Sequence, residues 1–110
     1  MKIETTAWFD KQIKQLAKKH KSIPADYRAF LQSLQSDPTQ GTGIRRGAHK
    51  VRMPIASKGE GKSGGARVIT YIRTDMDTIY LLDIYDKAER TNISDKDLDD
   101  FVNFIDKLSK

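Results

Sequence analysis

Two runs of β-formers, "RVITYIR" at residues 67–73 and "IYLLDIY" at residues 79–85, are joined only by the polar turn that begins "TDMD". β-Branched and aromatic side chains pack well on a pleated surface. A link this short leaves no room for a crossover helix, so the two runs pair antiparallel. Just upstream, Val51, Met53 and Ile55 alternate with Lys50, Arg52 and Pro54. That period of two predicts a third, half-buried strand with a basic outer face. Pro54 cannot donate to a ladder, which points to an edge or a bulge there.

The rest of the chain follows a helical period. Lys2 to Thr5 reads as a short first strand. Phe9, Ile13, Leu16 and Ala17 then share one face, while Lys11, Lys14, Lys18 and Lys19 look outward. Ser22 and Pro24 punctuate, and Tyr27, Phe30, Leu31 and Leu34 continue at helical spacing to about Ser36, giving a helical hairpin closed by "SDPTQGTG". After the strands, Ser94 is placed as an N-cap with Asp97 three residues on. Leu98, Phe101, Val102, Ile105 and Leu108 form the stripe of a closing helix, with acids in its first turn complementing the dipole. The expected architecture is α+β: an antiparallel sheet, an N-terminal helical hairpin and a C-terminal helix, with the helices on one face.

At 110 residues the chain fits one domain spanning 1–110. No apolar run approaches the roughly 20 residues needed to span a bilayer. "MKIETTAWFDKQ" has no signal-peptide core, which points to the cytoplasm. The absence of cysteine excludes disulfides and thiolate metal sites. The net charge of +5 is unevenly spread: residues 1–43 carry +3, residues 44–73 carry +7, and residues 75–110 carry −5. A block of positive charge on strands and a glycine-rich segment suits a polyanion, with nucleic acid first among them.

That segment, "IASKGEGKSGGARVITYI", resembles a nucleotide-binding loop only in part. Gly61, Lys62 and Ser63 fit the end of the pattern, but Ala56 stands where its first glycine belongs. A helix should follow to face the phosphates; Gly64, Gly65 and a β-branched run follow instead. The segment reads as a long loop between strands. A second decoy, Asp95, Asp97 and Asp99, opens like a calcium loop, but Asp100 and Asp106 stand where glycine and glutamate are required. No metal or cofactor is expected.

Three pieces in this order carry a resemblance to a known family. They are the helical hairpin, "HKVRMPIASKGEGKSGGARVITY", and "IYLLDIYDKAERTNIS". Together they resemble the RelE/HigB-type toxins of bacterial toxin–antitoxin pairs. The pattern K-x-R, then S-K-G-x-G-K-x-G-G-x-R, then a strand ending in Y-x-K, is closest to the HigB-like branch. The resemblance implies a RelE-like fold, ribosome-dependent mRNA cleavage and neutralisation by a cognate antitoxin, here expected to be a HigA-like helix-turn-helix protein. The toxin is expected to be a monomer when free and a hetero-oligomer with its antitoxin. ParE-type toxins, related in fold, poison DNA gyrase instead, and a non-cleaving RNA- or ribosome-binding module is a further alternative.

Metal-free RNA cleavage by a ribose 2′-OH needs charge neutralisation at phosphorus, which guanidinium groups supply well. Arg67, where the glycine segment re-enters the sheet, is the first choice, with Arg52 on the neighbouring strand. Lys87, in the last-strand position the family uses, is the candidate for acid–base work; a lysine beside two arginines is disposed to give up a proton. His49 and Glu89 are its rivals. Lys50, Lys58, Lys62 and Arg73 are expected to grip RNA, and Tyr71 and Tyr85 to offer a stacking ring or a hydroxyl. The family's C-terminal tyrosine has no counterpart: Phe101 and Phe104 stand in that region. Lys62→Ala is expected to weaken RNA or ribosome binding more than it slows the chemical step, as a split of KM from kcat would show.

Overall fold

The computed structural model describes residues 1–58 and 64–108. A five-stranded sheet has the order β1-β5-β4-β3-β2. Its strands are β1 (Lys2–Thr5), β2 (Thr42–Gly43), β3 (Ala48–Met53), β4 (Ala66–Arg73) and β5 (Thr78–Asp86). β3, β4 and β5 form the antiparallel meander read from the sequence, but β1 lies parallel to β5, so the sheet is mixed. β3 stops at Met53, one residue before Pro54, whose ring removes the N–H that another rung would need.

Helices α1 (Ala7–Lys19) and α2 (Ile23–Ser36) form the expected hairpin. Thr6 fixes the start of α1 twice: its Oγ1 accepts from the Phe9 N–H at 3.0 Å and donates to the Leu82 carbonyl at 3.0 Å. Phe9, Leu16, Phe30 and Leu34 are buried with Val51, Met53, Val68, Ile79, Leu81 and Ile84 in one apolar cluster. The closing helix α3 (Asp95–Leu108) begins as expected, with the Asp97 N–H on Ser94 Oγ at 3.1 Å.

α3 covers the other face of the sheet. Its Leu98, Val102 and Ile105 pack with Ala48, Ile69, Tyr71, Tyr80, Leu82 and Tyr85, a second cluster distinct from the first. The helices are therefore not on one face. The physical reason is that β4 and β5 are apolar on both sides, and a sheet buried on one side only would leave the second cluster in water. Leu108, placed in the α3 stripe by spacing, is 59 % exposed.

One irregularity governs β5. Thr70 pairs with Leu81, and Ile69 with Asp83, so Leu82 is an extra residue. This bulge reverses the alternation. Tyr80 and Tyr85, of opposite parity in the chain, consequently face the same side.

Gly65 enters β4 with φ +88°, and a Cβ there would meet the Met53 carbonyl oxygen at 2.8 Å. Both the dihedral and the approach demand glycine. Gly65→Ala should destabilise the fold by about 2 kcal/mol, read as a lower midpoint in urea unfolding; an unchanged midpoint would show that this strand entry relaxes freely.

Candidate active site

Three strands bring the site together in one row. Arg52 on β3 pairs with Arg67 on β4, and Arg67 pairs with Tyr85 on β5. Arg52 Nε and Arg67 Nη1 both donate to the Gly64 carbonyl, at 3.1 and 3.3 Å. Arg67 Nη1 also lies 3.2 Å from the Ala66 carbonyl. Two guanidinium groups thus converge on one oxygen. Lys87 follows directly after β5, and its N–H donates to the Gly65 carbonyl at 3.1 Å. The backbone of Lys87 is thereby one residue from that shared oxygen.

Lys50 lies two residues from Arg52 on the same face, paired with Ile69. Its ammonium donates to Asn92 Oδ1 at 3.0 Å, beside a cavity of about 320 Å³ lined by Ile44, Ile93 and Leu98. Tyr85 is buried, and its hydroxyl donates to the Thr91 carbonyl at 3.4 Å. Burial raises the pKa of that phenol, which therefore stays protonated at neutral pH.

Other expected residues lie elsewhere. Arg73 is six residues along β4 from Arg67, roughly 20 Å away. Its guanidinium forks onto Asp75 at 2.9 and 2.7 Å and reaches Asp106 at 2.9 Å. Tyr71 is buried beneath α3 and donates to Asp106 Oδ1 at 2.8 Å, so its ring is not offered to a base. Lys58 was expected to carry a mobile charge; instead its side chain is 8 % exposed and its ammonium lies 2.9 Å from Asp86. His49 shares the alternation of Val51 and Met53, on the face away from Arg52. Glu89 pairs with Lys19 at 2.9 Å on the surface. Lys62, Gly59 and Gly61 lie outside the described residues.

Sequence reasoning passed over Arg90, Asp83 and Asp86. The Arg90 guanidinium sits 4.3 Å over the Tyr85 ring, a cation–π contact, and donates to Asp83 Oδ2 at 2.6 Å. Asp83 is 1 % exposed and also accepts from Trp8 Nε1 at 2.9 Å. Burial raises its carboxyl pKa despite both partners. Asp86 shows the opposite balance. Burial would raise its pKa, but Lys58 and the Ala88 N–H hold it below the usual carboxylate range. A signal existed: two acids inside an otherwise apolar strand require buried partners. Among the described residues no three His, Asp or Glu side chains are grouped as metal ligands would be.

The fold and this row define a small basic α+β protein with a cationic cluster at one end of its sheet. The family model for the RelE toxin of the RelE/RelB toxin–antitoxin system matches residues 1–110. The chain belongs to this family: it is a RelE-type toxin, a class that works against an antitoxin partner.

The Lys58–Asp86 pair should be visible in stability. Because the Asp86 carboxyl is depressed on folding, its contribution is present above about pH 4 and is lost as pH falls through the folded-state value. Lys58→Met should cost about 3 kcal/mol near pH 7, by leaving a buried carboxylate without its cation. That deficit should narrow as pH falls below about 4, where the carboxyl of the unfolded chain protonates. Urea unfolding across pH checks this; a deficit equal at every pH would show that charge plays no part.

Proposed function

We propose that this toxin is a ribosome-dependent endoribonuclease of the HigB-like branch, cutting mRNA and so arresting translation. The observation that supports it is the Arg52–Arg67 pair. Arg52 and Arg67 stand directly opposite on adjacent strands and share the Gly64 carbonyl as acceptor, a pairing that suits one phosphate group between two guanidinium groups. The carbonyl oxygen of Gly64 has the place and hydrogen-bonding character that a phosphate oxygen would have.

In this reading the RNA phosphodiester lies across Arg52 and Arg67. The 2′-oxygen attacks phosphorus, the bond to the 5′-oxygen breaks, and a 2′,3′-cyclic phosphate remains. Arg67 and Arg52 neutralise the charge that builds on the phosphoryl oxygens. Lys87 is positioned to exchange protons with the reacting oxygens. Lys50 binds the neighbouring stretch of backbone, and Tyr85 with Arg90 forms one wall. No step calls for a metal. The antitoxin is proposed to be a HigA-like helix-turn-helix protein whose acidic or apolar tail covers this end of the sheet. Such a target places the toxin in the cytoplasm; no helix among the described residues is long and apolar enough to cross a membrane.

Induced expression followed by mapping of mRNA 5′ ends tests the proposal. Codon-spaced cuts within translated messages are expected. Translation arrest without cuts would indicate a binding module, and DNA breaks a gyrase poison. Arg67→Ala should lower cleavage by roughly 100-fold or more while shifting stability by no more than about 0.5 kcal/mol. Undiminished growth arrest by that variant would remove Arg67 from the chemistry.

A further inference from the structure

Beneath the Arg52–Arg67 row, on the opposite face of the sheet, lies a carboxylate at the edge of a cavity of about 260 Å³ that Tyr85, Glu89 and Arg90 also line. The Asp86 side chain is 5 % exposed. Its Oδ1 accepts from the Lys58 ammonium at 2.9 Å and from the Ala88 N–H at 2.9 Å. Its Oδ2 lies 3.2 Å from the same ammonium and 3.4 Å from His20 Nε2. Its backbone carbonyl accepts from the N–H groups of Glu89 and Arg90, both at 3.0 Å. Asp86 also pairs with Ala66, the residue before Arg67.

Three pieces of chain therefore meet at one residue: the end of α1 through His20, the stretch after β3 through Lys58, and the turn that carries Lys87 and Arg90. The stretch after β3 is held from the helical hairpin as well. The Ser57 N–H donates to Ser22 Oγ at 2.9 Å, and the Ala56 N–H to Asp26 Oδ2 at 3.2 Å. Those bonds fix where the stretch lies on the hairpin. The Lys58–Asp86 pair ties it to the end of β5.

We infer that Asp86 is a positioning residue: its carboxylate locks the Lys58 stretch and the Lys87–Arg90 turn into one fixed relation to the Arg52–Arg67 pair. This rests on the reading of that pair as a phosphodiester site. The Asp86 carboxylate is engaged by Lys58, Ala88 and His20, so it acts through the groups it holds. A carboxylate can accept from all of these donors at once. An asparagine keeps one acceptor and turns an N–H₂ toward a buried ammonium, so Asp86→Asn preserves shape but expels Lys58. A displacement of about 1 Å at reacting groups is enough to slow a reaction roughly 100-fold.

The test uses Asp86→Asn alone and combined with Lys58→Met. The single variant should lower kcat for cleavage on translating ribosomes by roughly 10- to 100-fold, with KM within about twofold. The double variant has neither charge and still lacks the tie, so its kcat should lie within about twofold of the single variant's, a coupling that independent effects do not produce. Amide exchange supplies a readout that does not need activity. In Asp86→Asn the Lys87 N–H should exchange at least about tenfold faster while the ladder amide of Tyr71 keeps its rate, since local opening is separable from global unfolding. The inference is overturned if kcat falls only with the folded fraction, if the double variant is slowed well beyond the single, or if the Lys87 and Tyr71 amides change together or not at all. Should the parent protein cut no RNA, the phosphodiester reading fails by itself, and the amide measurement still decides the role of Asp86.

Discussion

The register of β4 against its two neighbours is the constraint on which the site depends. It sets Arg67 between Arg52 and Tyr85, and nothing local to any of the three residues could do so. A shift of one residue would send Arg67 to the face occupied by the helical hairpin, where a guanidinium would meet Phe9 and Leu34. The two apolar clusters prevent that shift from both sides at once. Val68 and Ile84 are buried under the hairpin, while Ile69 and Tyr85 are buried under α3. The core that makes the sheet stable is thus the same device that aims the two arginines.

The folded molecule redistributes the charge that the sequence displays as one block. The acidic C-terminal third folds back onto part of the basic centre. Arg45 and Arg46 are held by Asp99, at 2.9 and 3.2 Å, and Arg73 by Asp106. The two arginines beside Asp99 hold its carboxyl below the usual range. These pairs lie at the α3 side of the molecule, on the arginines farthest along the strands from Arg67. What was a field of thirty residues becomes a short cationic end built around Arg52 and Arg67. A smaller, better-aimed cluster suits one phosphodiester rather than a long stretch of duplex.

Much of this was legible from periodicity. The meander, the helical hairpin and the capped closing helix follow from spacings of two and of three to four. The pairing of Arg52 with Arg67 was legible because Arg67 follows the glycine segment and Arg52 lies on the basic face of the preceding strand. Three things were not legible, each for a physical reason. The extra residue at Leu82 leaves no mark in composition, and simple alternation would have put Leu81, Asp83 and Tyr85 on one face. The parallel pairing of β1 with β5 depends on where α1 packs, which no short window contains. Lys58 reads as a surface charge because its partner, Asp86, is 28 residues away in sequence.

Two acids buried in β5 lie at the edge of this site. Asp83 is held by Arg90 and Trp8, and Asp86 by Lys58 and His20. Each is withdrawn from solvent onto partners of its own, and each in turn fixes a cation or a turn at the edge of the site. Burying a charge is costly unless it is paired, so these pairs do little for net stability compared with an apolar core of the same volume. Their contribution is geometric: they tie the end of β5 to α1, to the stretch after β3 and to the turn that follows β5.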